Sequence, residues 1–154
     1  MFKISETLKE ERIILELKST SKKEAIRELA LVLKGAPEIS DFDKFLEDVF
    51  QREVLGTTGI GQGVALPHAR SEVVNKFAIC FGRSKKGIDF GALDEEPVHL
   101  IFLIGNPKED VQNYLKTLAH LSRLLRKEDF REKLIEAKDA KEIIEIFRVQ
   151  EELI

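Results

Sequence analysis

Apolar positions along this chain switch repeatedly between short clustered runs and helical spacing. Residues 13–17 open with Ile13, Ile14 and Leu15 and predict a short strand. Ser21-Lys22-Lys23-Glu24 then has the form of a capping box, in which serine and glutamate satisfy free backbone donors at a helix start. Behind it Ala25, Leu29, Leu31, Val32 and Leu33 supply an apolar helical face, and Gly35 is a natural stop. Ser40 or Asp41 can cap a second helix, in which Phe42, Phe45, Leu46 and Val49 recur at helical spacing as far as about Glu53.

The pattern breaks at residues 56–63, where four of eight positions are glycine, and predicts an irregular loop. A short strand over 64–66 follows and is ended by Pro67-His68. Residues 77–81 and 98–104 are the clearest strands of the second half, and Gly87 and Gly91 bracket a further short strand or turn. From about Glu109 the spacing is helical: Val111, Tyr114, Leu115, Leu118, Leu121, Leu124 and Leu125 form one broad stripe. Residues 129–137 and 140–147 predict two more amphipathic helices. No repeat, linker or low-complexity segment interrupts the chain. Strands interleaved with helices predict a single α/β domain over residues 1–154, with helices covering a sheet whose strand order the pattern leaves open.

Composition narrows the function more than the fold. The 154 residues suit one domain, and 43% apolar content supports a full core. No apolar run approaches the roughly 20 residues of a membrane helix, and Met1-Phe2-Lys3-Ile4-Ser5-Glu6 has no signal-peptide character. With 25 basic and 28 acidic residues, and no basic block, nucleic acid is disfavoured as a partner. One cysteine, Cys80, and three histidines without paired spacing argue against a zinc site, and the lone thiol fits a reducing cytoplasm.

The chemistry concentrates in residues 52–68. They place Arg52 at a helix end, then a glycine- and threonine-rich loop, then His68 after a short strand. Imidazole is nucleophilic near neutral pH without a partner to deprotonate it. Glycines let backbone N–H groups approach an anion, Thr57 and Thr58 add hydroxyl donors, and Arg52 offers a guanidinium fork for phosphate oxygens. Nucleotide loops do not fit: a Walker A loop ends in Gly-Lys-Ser/Thr where this chain has Gly63-Val64, and a GxGxxG pattern from Gly59 meets Val64 where it needs glycine. The G-x-S-x-G elbow of a hydrolytic triad is absent as well.

This segment closely resembles the phosphorylation motif of the mannitol/fructose class of phosphotransferase-system enzyme IIA domains, including the nitrogen-regulatory IIA proteins. Arg52-Glu53, Gly59-Ile60-Gly61, Gly63, Ala65 and Pro67-His68 match that motif. Thr57 stands at its usual serine, and Val64 and Leu66 at two isoleucines. The resemblance implies a mixed sheet of about five strands flanked by helices. It implies a cytoplasmic phosphoryl carrier that accepts phosphate on His68 Nε2 from an HPr-like protein and passes it to a IIB domain, or whose phosphorylation state governs a regulatory target. It implies Arg52 as the catalytic cation, Thr57, Thr58 and Gly59 as phosphate-binding residues, and no metal or cofactor. The family's second helical histidine corresponds to Tyr114, counted from Pro107. A phenol at this site wall can donate a hydrogen bond to a phosphate oxygen but cannot act as an imidazole.

Each of these residues also has an ordinary role outside the motif. Arg52 would be a solvated helix-end cation favoured by the dipole, and the threonines would be turn residues. His120 reads as a half-buried structural histidine, His99 as a structural strand residue, Cys80 as a small core residue, and residues 123–133 as a solvated charged surface. An alternative function is a regulatory protein-binding module that keeps the fold with little or no onward transfer.

Overall fold

The computed structural model describes residues 3–154; Met1 and Phe2, with which the N-terminal reading begins, lie outside the described residues. Helices α1 (Ile4–Thr7), α2 (Lys22–Ala30), α3 (Phe42–Leu55), α4 (Val111–Leu125), α5 (Glu128–Glu136) and α6 (Ala140–Glu152) flank a mixed sheet. The strands are β1 (Ile13–Ile14), β2 (Gly59–Gly61), β3 (Val64–Ala65), β4 (His68–Ser71), β5 (Ala78–Ile88) and β6 (Val98–Pro107). The fold class is α/β as the pattern predicts, with six strands among the described residues rather than about five.

Local chemistry sets the helix ends. Ser21 Oγ accepts from Glu24 N, and Asp41, rather than Ser40, caps α3 by accepting from Lys44 N. Asp110 and Asp139 do the same for α4 and α6. Helices α2 and α3 begin where their caps predict; α3 and α6 run on beyond the predicted ends at Glu53 and residue 147.

The sheet runs β1-β5-β6-β3-β2, with β4 also paired to β6. The central pair, β5 and β6, is antiparallel; β1, β3 and β4 join it parallel. Both central strands are buried over most of their length because helices cover both faces, which is why β6 and the first part of β5 read as near-continuous apolar runs. On one face Ala69, Cys80, Ile101 and Leu103 pack under α2 and α3. On the other, Ile79, Phe81, Leu100, Phe102 and Ile104 pack with α1, α4, α5 and α6 around Phe130 and Phe147. Cys80 is wholly buried, and burial pushes its thiol far up, so it is an inert core residue.

The glycine run corrects the loop prediction. Gly59–Gly61 is strand β2 and forms a hairpin with β3 through Gln62 and Gly63. Both turn residues have positive φ, 57° and 79°, the handedness that suits a two-residue hairpin. Glycine is needed at Gly59 because an added Cβ would stand 2.9 Å from Ala92 Cβ. The two other histidines are structural. His99 Nδ1 lies 2.8 Å from Ser84 O. His120 is fully buried rather than half-buried, because its Nε2 donates to Glu151 at 2.6 Å.

Candidate functional site

Strands β3 and β4 lie end to end along β6; β3 is covered on its other side by β2, whereas β4 is a free edge among the described residues. Ala65 pairs with Ile101 and His68 with Ile104, so the register is unchanged across the break. Pro67 makes the break, since it has no N–H to give a ladder; its carbonyl still accepts from Ile104 N. His68 therefore begins a strand rather than ending one. Side chains alternate across β4: Ala69 enters the core beneath α3, whereas His68 and Arg70 share the opposite face, toward α4.

A cavity of about 420 Å³ opens along this edge between α3 and α4. His68, Arg70, Ser71, Lys44, Asp48, Arg52, Leu55, Lys108 and Tyr114 line it. Four cations thus face two carboxylates, those of Asp48 and Glu72. Asp48 accepts from Ser71 Oγ at 2.6 Å and pairs with Lys44, and Glu72 pairs with Lys108 at 3.3 Å. Arg52 and Arg70 have no carboxylate within ion-pair reach among the described residues. Arg52 Nη1 donates to Gly56 O at 2.8 Å, and the Arg70 guanidinium lies 5.2 Å from the Tyr114 ring centre.

The His68 ring is held at both nitrogens. Nδ1 is 2.7 Å from Leu66 O, which can only accept, so Nδ1 carries the proton of the neutral ring. Nε2 then holds the lone pair, and the Tyr114 hydroxyl donates to it at 2.8 Å. The residue is only 6% exposed. Burial holds its pKa below the ordinary imidazole value, and the charges of Arg52 and Arg70 push the same way, against the Leu66 carbonyl and Glu53. The ring is accordingly neutral at physiological pH, with its nucleophilic electron pair directed to the cavity side.

Arg52, His68 and Tyr114, three of the residues singled out from sequence, meet in this cavity. Thr57, Thr58 and Gly59, which the resemblance marks as phosphate-binding, do not line it. Their polar groups turn inward. Thr57 Oγ1 donates to Phe90 O and accepts from Gly59 N, while Thr58 gives both its N–H and its hydroxyl to Glu53. Glu53 also pairs with Lys22 at 2.6 Å. These contacts tie the end of α3 to α2 and to the hairpin, and so hold Arg52 in place.

Sequence reading missed Arg70, Lys44, Lys108 and the Leu66 carbonyl. Arg70 had a usable signal: it lies two residues from His68, and residues i and i+2 share a face once the segment is read as a strand. Lys44 and Lys108 had none, because they reach the cavity from distant elements.

Fold and site together define a class: an α/β domain that presents one neutral imidazole in a cation-rich cavity at a sheet edge. Residues 6–149 match the family model described as phosphoenolpyruvate-dependent sugar phosphotransferase system, EIIA 2. The chain belongs to this family, and its role is therefore that of a phosphotransferase-system component acting in phosphoryl transfer. It is 39% identical over 146 residues to a nitrogen regulatory protein of Bradyrhizobium diazoefficiens, covering 93% of each chain. It is 40% identical over 144 residues to the fructose-specific EIIABC component of Bacillus subtilis, covering 94% of this chain but 23% of that longer protein. The crystal structure of the nitrogen regulatory protein IIA-Ntr from Neisseria meningitidis superposes with a TM-score of 0.87 at 33% identity, covering 94% of this chain and 98% of that one. No helix among the described residues is long and apolar enough to cross a membrane.

Proposed function

We propose that the protein is a cytoplasmic phosphoryl carrier whose acceptor is His68 Nε2. The donor is the phosphohistidine of an HPr-like protein, and the recipient is a histidine or cysteine of a IIB domain. The observation that carries this reading is the neutral His68 ring, with Nδ1–H on the Leu66 carbonyl, in a cavity it shares with two guanidiniums that no carboxylate among the described residues pairs.

In the transfer, the Nε2 lone pair attacks phosphorus while the donor N–P bond breaks, and that bond's electrons stay on the donor nitrogen. The chemistry exchanges one nitrogen ligand for another, so the protein's work is positioning and charge neutralisation. Arg52 and Arg70 meet the equatorial oxygens, with Lys44 and Lys108 further along the cavity. Positive charge grows on the ring as the bond forms, and the Leu66 carbonyl, already on Nδ1–H, stabilises it. Exposed Leu55, Val111 and Leu115 near the cavity offer apolar area for protein partners.

A regulatory role is the second reading, favoured by the full-length similarity to nitrogen regulatory proteins. In it the phosphate on His68 adds charge and acceptor oxygens that make or break a contact with a target.

Reconstitution with phosphoenolpyruvate, enzyme I and an HPr-type carrier tests the proposal. Acid-labile label on the wild type and none on His68→Ala is expected; equal labelling of the two would remove His68 as acceptor. Label that then chases to a IIB domain supports transport, and label that stays supports regulation.

A further inference from the structure

The lone pair that must attack phosphorus is occupied. The Tyr114 oxygen stands 2.8 Å from Nε2, and Nδ1 offers no alternative because its proton is held by Leu66 O. The phenol therefore sits on the line along which a phosphorus atom has to approach. A tetrahedral phosphoryl group and the Tyr114 oxygen cannot share that position.

The ring has somewhere to go. Tyr114 lies on the first turn of α4, half-buried, between the exposed side chains of Val111 and Leu115. It also lines the open cavity, and the Arg70 guanidinium lies 5.2 Å from the ring centre. Arg70 has no carboxylate partner among the described residues, so an entering dianion draws it toward phosphate oxygens and off the ring. Arrival of the charge thereby loosens what holds the phenol in place.

We propose that Tyr114 gates His68: its hydroxyl closes off Nε2 at rest, swings aside with Arg70 when a phosphoryl donor enters, and then donates to a phosphoryl oxygen. The phenolic proton stays on Tyr114 throughout. The N–P bond forms at Nε2 as the donor's breaks, and Nδ1 keeps its proton. The opened state rests on His68 being the phosphoryl acceptor; the closed state does not.

The test has one arm for each state. Diethyl pyrocarbonate acylates neutral imidazole without any partner protein, and peptide mapping separates His68 from His99 and His120. Tyr114→Phe is expected to acylate at His68 roughly 3- to 10-fold faster than wild type, the weight of one hydrogen bond. Arg70→Gln, which frees the ring without touching Nε2, should also be faster. The His68 titration, followed by NMR, should move upward in Tyr114→Phe, since a donor to the lone pair favours the neutral ring. Phosphorylated Tyr114→Phe should lose its phosphate roughly 3- to 10-fold faster than phosphorylated wild type. Unchanged acylation and an unmoved titration overturn the gate even where phosphorylation of His68 is normal. Altered acylation in a protein that no carrier phosphorylates supports the closed state and removes the opened one together with the carrier reading.

Discussion

The protonation and tautomer of the His68 ring are set by its surroundings. Burial and two nearby guanidiniums keep it unprotonated, and one carbonyl selects which nitrogen holds the electron pair. A pH dependence follows. The lowered pKa means the lone pair is lost only when pH falls below the ordinary imidazole range near about 6.5. The single-turnover phosphorylation rate should therefore stay level from pH 8 down through about 6.5 and decline only beyond it. Folding stability responds in the same direction: the unfolded ring takes its proton first, so this contribution is complete above about 6.5 and diminishes as pH drops. Arg52→Ala should fold normally by circular dichroism yet accept phosphate about 10²–10³-fold more slowly, the usual cost of losing one preorganised donor. His68, Arg52 and Tyr114 were legible as site residues because a linear motif and a helical offset mark them. The partners of the Thr57 and Thr58 hydroxyls were not legible, since no linear pattern says whether a hydroxyl faces a cavity, a carbonyl or a neighbouring carboxylate.

Among the elements, helices were read best, because a cap and a 3.6-residue stripe are written within the segment itself. Strand bounds were legible only loosely: residues 13–17 and 64–66 overran β1 and β3, β5 and β6 run on past 81 and 104, and β2 and β4 were missed. The strand expected over 77–81 is observed as Ala78–Ile88 and continues past Gly82 and Arg83. A charged residue there looks like an exit from the sheet, yet Arg83 is 9% exposed and holds α5 in place. Its Nη1 donates to the Leu134, Ile135 and Ala137 carbonyls, and its Nε to Leu15 O. Those carbonyls are the free acceptors at a helix end. Arg83→Met should cost about 3 kcal/mol. It would appear as a lower urea midpoint at constant m-value, with phosphorylation of the folded fraction retained. The β2 strand was missed because glycines usually mark loops, whereas here Gly59 is required by the close approach of Ala92.

For the molecule as a whole, ionic contacts between distant segments close the fold around its two apolar layers. Glu151 on the last helix accepts from Ile4 N, Ser5 N and His120 Nε2, joining the first helix to the last. Burial alone would raise its pKa, but these three donors outweigh it and bring it below the carboxylate norm. Glu38, beside Arg12 at 2.6 Å, is pulled down to about 2. Carboxylates lowered in this way stabilise the fold above their unfolded pKa, near 4.5 for Glu38, and release that contribution as pH falls toward 2. Glu151→Gln is expected to lose about 2–3 kcal/mol and to speed amide exchange at Ile4 and Ser5; unchanged exchange there would refute the clasp. By itself the sequence determined the α/β class and the helix starts and singled out His68 and Arg52, because caps, periodicity and a contiguous motif are local and need no partner. Only the tertiary structure decided that β3 and β4 lie end to end along β6, that Arg70, Lys44 and Lys108 share a cavity with His68, and that a phenol covers Nε2. Those facts are distances between segments up to dozens of residues apart, and packing of the two faces of the sheet sets them.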